Sequence, residues 1–387
     1  MFTLTTFAEL CKIYPTWADL SKHLVTDGGL RIIESDDNLA IIRYTNANSS
    51  RVGVVSDFTK PYVTNFRSVV WNKTTNRPVS VAPVKASEFS ETSEDVSVSE
   101  FLDGTMIQAW LEDQDPKIAT RTSLYAKGTF YSARSFADLF GDVFPEGSSE
   151  FLKTVLKPNQ FISFVLQHRD HKTVAPVPVN RVYVTYVGSV LEDGTVTMSS
   201  SPTDWPARLV SYAPKMYEES ANLSESKNLL QQYQEGYQWQ GLVFQDKLSS
   251  RRWRLRNPDY LDVRSLRGGE ATDMARFLRL RKSGEVKKYL SYFREDGNCM
   301  WELEQLIRNR TADLYTAYID MNKVKSKTMR DLPYCLRPHV YALHGEYLKL
   351  TPKVPILKQT VVDYVNALPV DAQLKLISST MASAPSQ

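Results

Sequence analysis

Cysteine is scarce: 387 residues hold three, Cys11, Cys299 and Cys335, and no two form a CxxC pair. Such spacing signals neither a disulfide framework nor a zinc site, and it fits a reducing, cytoplasmic setting. Glycine and proline are also few, at 16 and 19, which excludes collagen-like and low-complexity chains. Long apolar runs are missing as well. No stretch approaches the roughly 18–20 consecutive apolar residues of a spanning helix, and residues 1–15 carry neither a basic leader nor an extended apolar segment. These absences predict a chain that is neither secreted nor embedded in a membrane. What is present is a globular composition, 42% hydrophobic and 24% charged, long enough for two or three domains with proper cores.

The net charge is only +3, from 47 basic and 44 acidic side chains, but its distribution is uneven. Residues 247–294 hold 14 Lys or Arg against 5 Asp or Glu, a local balance of +9, which leaves −6 on the rest. A basic segment in a mildly acidic chain suits a phosphate-bearing partner, nucleotide or nucleic acid. The same pattern also arises from a solvated basic helix face.

Periodicity divides the chain. The first 25 residues read as two short helices, the second starting near Thr16, and residues 30–44 as a hairpin around Asp36-Asp37-Asn38. Runs at 69–71, 79–81, 105–110, 118–124, 161–167 and 182–187 are β-branched or aromatic and bounded by turn formers, with a hairpin turn at Glu192-Asp193-Gly194. Helical patterns at 133–140, 149–156 and 226–234 interrupt them, before strands at 240–245 and 252–256. This mixture predicts an α+β domain. After Gly268-Gly269 only helical patterns follow, at 271–281, 285–293, 299–318, 337–348, 354–367 and 371–378. The predicted domains are therefore 1–268, with 1–28 a helical lead-in, and an all-α 269–387. Residues 87–99, rich in Ser, Glu and Thr, read as a mobile loop, and 380–387 as a frayed tail.

Several segments stand in a telling order. Phe66-Arg67-Ser68-Val69-Val70-Trp71 is followed by 77–85, which ends on Lys85. Then come Phe101-Leu102-Asp103-Gly104-Thr105-Met106-Ile107, and Arg121-Thr122-Ser123-Leu124 with Ala126-Lys127-Gly128-Thr129-Phe130. Phe161-Ile162-Ser163-Phe164-Val165-Leu166 precedes Gln240-Gly241-Leu242-Val243-Phe244 and Trp253-Arg254-Leu255-Arg256-Asn257-Pro258. In this order they resemble the phage-type RNA ligase 1 branch of the covalent nucleotidyltransferases, over about residues 30–268. The resemblance implies an ATP-grasp-like adenylation domain built on antiparallel sheets, followed by an all-α C-terminal domain. It brings ATP and Mg as cofactors and RNA or nucleotide as partners.

The departures from that family bear directly on chemistry. Phe101 stands where the family's lysine attacks ATP, and a phenyl ring has no lone pair to offer the α-phosphate. Asp103 and Gly104 of the same motif remain. Val165 replaces a strand carboxylate and Gln240 the Glu-Gly carboxylate, so neither position supplies charge for a metal. Arg254 and Arg256 replace two lysines and still grip phosphate, with a fork in place of a point charge. Together with Arg67, Lys85 and Lys127 they are the residues the resemblance assigns to nucleotide or phosphate; it leaves no catalytic and no metal-binding residue. Glu235-Gly236 is a competing register for the Glu-Gly element, 19 residues before Arg254 against 14 from Gln240. Lys85 is the nearest alternative nucleophile.

Plainer readings stand beside these. Asp103-Gly104 alone is a hairpin turn, and Phe101 and Val165 read equally as core residues filling a vacated pocket. On a strand, Trp253 and Leu255 face inward while Arg252, Arg254 and Arg256 share the other face, as a phosphate cradle or a solvated surface. His168 and His171 have HxxH spacing, but without an evident carboxylate or Cys partner they read as a charged turn. His344 shares a helical face with Val340, Leu343 and Tyr347 and reads as a packing residue. Residues 337–348 and 361–366 resemble a terminal helical element of ligase-like proteins of large DNA viruses, which would add a virion location. Three functions follow from these readings. The first is a degenerate RNA-ligase-like protein that binds nucleic acid or nucleotide, or protein partners through its helical domain, away from membranes. The second is a structural or interaction protein that uses the fold as scaffold, and the third an active ligase with a shifted lysine.

Overall fold

Apolar alternation along short segments builds three sheets in this computed structural model, which describes residues 1–45, 55–89, 95–130, 133–217, 223–232, 236–270, 272–349 and 351–378. Thr16 caps the helix Trp17–Thr26 by accepting from the Asp19 N–H. The hairpin follows as expected, Arg31–Ser35 against Leu39–Arg43, with Asp36 Oδ1 accepting from the Asn38 and Leu39 N–H groups at 2.9 and 2.7 Å. Val69–Asn72 and Arg77–Val81 complete this four-stranded sheet. A six-stranded sheet runs Phe2–Leu4, Val196–Ser199, Arg181–Val190, Gln160–Gln167, Thr105–Glu112, Asp115–Thr120. A five-stranded one runs Met216–Tyr217, Val96–Glu100, Gly241–Asp246, Arg252–Arg256, Ser87–Glu88. Every pairing is antiparallel except the last, where Ser87–Glu88 lies parallel to Arg252–Arg256.

Three cores hold these sheets. Phe7, Leu20, Ile42, Trp71, Phe161 and Met198 join the N-terminal helices, the four-stranded sheet and one face of the six-stranded sheet. On its other face Ile107, Ile162, Phe164 and Leu166 pack against Phe140, Phe151 and Leu209 of the covering helices. Phe89, Val98, Leu242 and Phe244 cover one face of the five-stranded sheet, with Leu229 and Leu230 from the helix Leu223–Gln232. Each buried phenyl ring contributes about 1.5–3 kcal/mol of transfer free energy.

Several expectations are corrected. Much of 87–99 is strand: Val96 and Val98 bury against Phe244, and that two-residue alternation outweighs the polar composition. Residues 90–94 lie outside the described residues, as do Glu235 and the tail 380–387. The strand expected over 118–124 stops at Thr120, whose Oγ1 accepts from the Thr122 and Ser123 N–H groups at 3.3 and 3.0 Å and turns the chain. The helix Pro258–Arg267 was not expected; Asn257 Oδ1 accepts from the Asp259 N–H at 3.1 Å, and Pro258 takes the first position, where no N–H is needed.

The chain forms two compact units, Met1–Asp262 and Val263–Gln387. The second contains the helices Asp273–Ser283, Val286–Tyr292, Gly297–Ile319, Arg337–Lys349, Lys358–Ala367 and Val370–Ser378, so the C-terminal region is helical as its periodicity predicts. Its interior holds a buried charge network. Arg276 Nη1 lies 3.0 Å from Asp273, 3.4 Å from the Tyr289 hydroxyl and 3.8 Å from Asp296, while its Nε donates to the Arg267 carbonyl at 2.9 Å. His344 stacks on Tyr347, in keeping with a packing role. Among the described residues no helix is long and apolar enough to cross a membrane.

Candidate functional site

The candidate site lies where the six-stranded and five-stranded sheets turn their polar faces to each other. In Gln160–Gln167, Ile162, Phe164 and Leu166 are committed to the helix-covered core, so Ser163 and Val165 face the other way. Register places Ser163 beside Gln108 and Tyr186, and Val165 beside Met106 and Tyr183. On the five-stranded sheet Val98, Leu242, Phe244, Trp253 and Leu255 pack into their own core, which leaves Gln245, Arg252, Arg254 and Arg256 on the opposite face. The two faces meet: the Tyr186 hydroxyl donates to Gln245, and the Arg252 guanidinium lies 5.3 Å over the Tyr186 ring.

The segment from Phe101 to Gly104 connects the two sheets. The Phe101 N–H donates to the Gly241 carbonyl at 2.8 Å. Asp103 is no hairpin turn; its Oδ2 accepts from the Val174 and Ala175 N–H groups at 2.9 and 3.1 Å, and its carbonyl accepts from Gln167 Nε2 at 2.9 Å. A Cβ at Gly104 would lie 2.4 Å from the Leu166 carbonyl oxygen and 2.8 Å from Val165 Cγ1. Gly241, at φ +132°, would place a Cβ 2.1 Å from the Leu255 oxygen. Phe101 and Val165 are partly exposed and belong to none of the three cores, so the reading of both as core filler is corrected. Gln240 is buried at the head of its strand, where its carbonyl accepts from the Asn257 N–H at 3.0 Å.

Cations converge from four segments around the contact between Tyr186 and Gln245. Arg67 Nη1 and Arg252 Nη1 donate to consecutive carbonyls, Pro83 at 3.3 Å and Val84 at 3.2 Å. Ser68 Oγ donates to the Arg121 carbonyl at 3.3 Å, bringing Arg121 alongside, and the Tyr44 N–H donates to the Phe66 carbonyl at 2.8 Å, bringing in Arg43 and Tyr44. Burial, then Arg121 and Arg252, push Arg67 down to about 9. Burial likewise lowers Arg121, and burial followed by Arg121 lowers Arg43. Burial raises the Tyr44 hydroxyl against the opposing pull of Arg67, Arg121, Arg43 and Arg254. Among the described residues the buried Nε atoms of Arg121 and Arg252 find no acceptor. Among the described residues Arg43, Arg67, Arg121 and Arg252 form no ion pair, whereas Arg254 donates twice to one oxygen of Glu88, at 2.9 and 2.7 Å.

Of the residues singled out from sequence, Arg67 and Arg254 thus share one electrostatic group, and Arg256 lies on the same strand face as Arg254. Lys85 is exposed, one residue beyond the Val84 carbonyl. Lys127 is exposed too, its ammonium 5.0 Å over the Tyr125 ring, whose hydroxyl donates to Asp36 at 2.5 Å. Arg43, Tyr44 and Arg121 were missed as site residues. The only signal for them was the Arg-Thr-Ser sequence ahead of the Lys127 turn.

The donor set does not suit a divalent cation. Val165 and Gln240 offer no carboxylate, and among the described residues no three His, Cys, Asp or Glu gather as a metal group. The two histidines of the HxxH spacing take separate partners. His168 Nε2 lies 3.3 Å from Asp142 and 2.8 Å from Asn180, while His171 Nε2 lies 3.0 Å from Thr105 Oγ1.

No family model and no curated protein matches the chain. Among solved structures it is similar to an archaeal ATP-dependent RNA ligase, form 1, with a TM-score of 0.41 and 12% identity over 77% of this chain and 74% of that one. It is also similar to form 2, with a TM-score of 0.43 and 14% identity over 79% of this chain and 82% of that one. Likeness at this level assigns no role to any residue, so what the site does is argued from its own groups. Those are a carboxylate-poor, arginine-rich inner face, with Phe101 leading the connection between its sheets.

Proposed function

We propose that the protein is a catalytically degenerate RNA-ligase-like protein that binds nucleotide or nucleic acid by its phosphates and transfers no adenylyl group. Residues 1–268 would form the nucleotidyltransferase-like domain and 269–387 a helical domain for partner contacts. The observation that carries this reading is the gathering of Arg67, Arg121 and Arg252, which form no ion pair among the described residues, between two sheets whose connection is led by Phe101. Phosphate supplies the missing negative charge, while a phenyl group cannot hold AMP as a phosphoramidate.

Incubation with α-labelled ATP and a divalent metal, beside an active ligase, tests the lost chemistry; no label surviving denaturation is expected. Label that survives, and vanishes in Lys85→Ala, would restore the active-ligase reading. Thermal shift with ATP and with short RNA tests binding: a rise in Tm is expected with at least one of them. No rise with either would favour the scaffold reading.

A further inference from the structure

We infer that Arg43, Arg67, Arg121 and Arg252 form a metal-independent site for a condensed phosphate, such as the triphosphate of a nucleotide, in which guanidinium groups take the electrostatic place of a divalent cation. The inference rests on the nucleotide-binding reading and specifies how that ligand is held. Two of the guanidiniums are fixed: Arg67 and Arg252 are each anchored through one Nη1 to consecutive carbonyls, which orients the remaining N–H groups. Buried N–H donors without an acceptor are costly, and two stand here, on Arg121 and Arg252. The nearby carboxylates are committed elsewhere: Glu88 to Arg254, Glu34 to the Leu124 N–H at 2.6 Å. Four positive groups that form no ion pair among the described residues repel one another in a medium that screens poorly.

The charge distribution selects the ligand. A nucleic-acid backbone spreads its charge at one per phosphate along the strand, whereas a condensed phosphate brings several charges to one point, matching the convergence of the arginines. Planar guanidinium forks pair with phosphate oxygens through parallel N–H groups. Among the described residues no group of carboxylates gathers to hold a metal, so the arginines meet the charge.

The test is calorimetric titration of the full chain with inorganic tripolyphosphate and with ATP, in EDTA and in excess Mg²⁺. Both ligands are expected to bind in EDTA at least as tightly as in Mg²⁺, because the metal neutralises charge that the arginines would otherwise meet. Arg121→Gln and Arg252→Gln should each weaken binding by about tenfold or more, yet raise the Tm of the free protein, since each removes one of several uncompensated like charges. That opposition of signs separates loss of a ligand contact from loss of the fold. Binding that appears only with Mg²⁺, or is unchanged in both variants, overturns the inference. If ATP binds only with Mg²⁺, the nucleotide reading survives and metal independence falls. If tripolyphosphate binds in EDTA and ATP does not, the site stands and the nucleotide reading falls.

Discussion

Gly104 and Gly241 show how little freedom single residues have at the junction of the sheets. Each brings backbone against backbone where a methyl group would overlap a carbonyl oxygen, and Gly241 adds a left-handed φ. Gly104→Ala and Gly241→Ala should each lose about 2–4 kcal/mol of stability in urea titration. Gly128→Ala, whose added Cβ would meet its nearest neighbour at 3.7 Å, should stay within about 0.5 kcal/mol of the parent. The same scale explains what sequence reading found and missed in the site. Arg252, Arg254 and Arg256 were legible because strand alternation alone puts them on one face. Arg43 and Arg121 were not: Arg43 ends its strand, Arg121 follows one, and Arg121 comes beside both Arg43 and Arg67 only through sheet packing that no local pattern encodes.

Among the elements, helix packing in the second unit carries a pH dependence. His339 Nδ1 lies 2.8 Å from the Tyr364 hydroxyl, joining Arg337–Lys349 to Lys358–Ala367, and burial lowers the imidazole below its usual 6.5. The unfolded chain therefore takes up that proton first. This contribution is whole above about pH 6.5 and is lost as pH falls from there to the lowered folded value. Urea midpoints between pH 8 and 5 should show the loss in the parent and a shallower one in His339→Gln. The Arg276 network that ties Asp273–Ser283 to Asp296 and Tyr289 is a stronger element-scale contact; Arg276→Met leaves the buried Asp296 carboxylate and the half-buried Asp273 facing an apolar chain and should cost about 3–5 kcal/mol. Element types were mostly readable, since apolar periodicity over eight to ten residues survives context. Val96–Glu100 was hidden because only Val96 and Val98 carry its pattern, amid serines and acidic residues. Pro258–Arg267 was hidden because its cap, Asn257-Pro258-Asp259, directly follows a strand and reads as that strand's end.

For the whole molecule, two compact units predict two calorimetric transitions instead of one. Tripolyphosphate should raise one of them, that of Met1–Asp262, and Arg276→Met should lower the other; a single transition moved by both would mean one cooperative body. The local balance of +9 within a chain of +3 also predicts that affinity for any phosphate ligand falls as salt rises, more steeply than net charge suggests. This is read from titrations at several NaCl concentrations.

Glu88 gives this arrangement a kinetic consequence. Its carboxylate, largely exposed, already occupies Arg254 at the rim of the cationic group. An incoming anion that extends to Arg254 must evict this resident, and the resident returns as soon as the anion loosens. Such an internal competitor shortens the dwell time of whatever binds and makes the site a place of exchange instead of storage. Glu88→Gln should slow ligand departure in stopped-flow displacement while leaving arrival nearly unchanged.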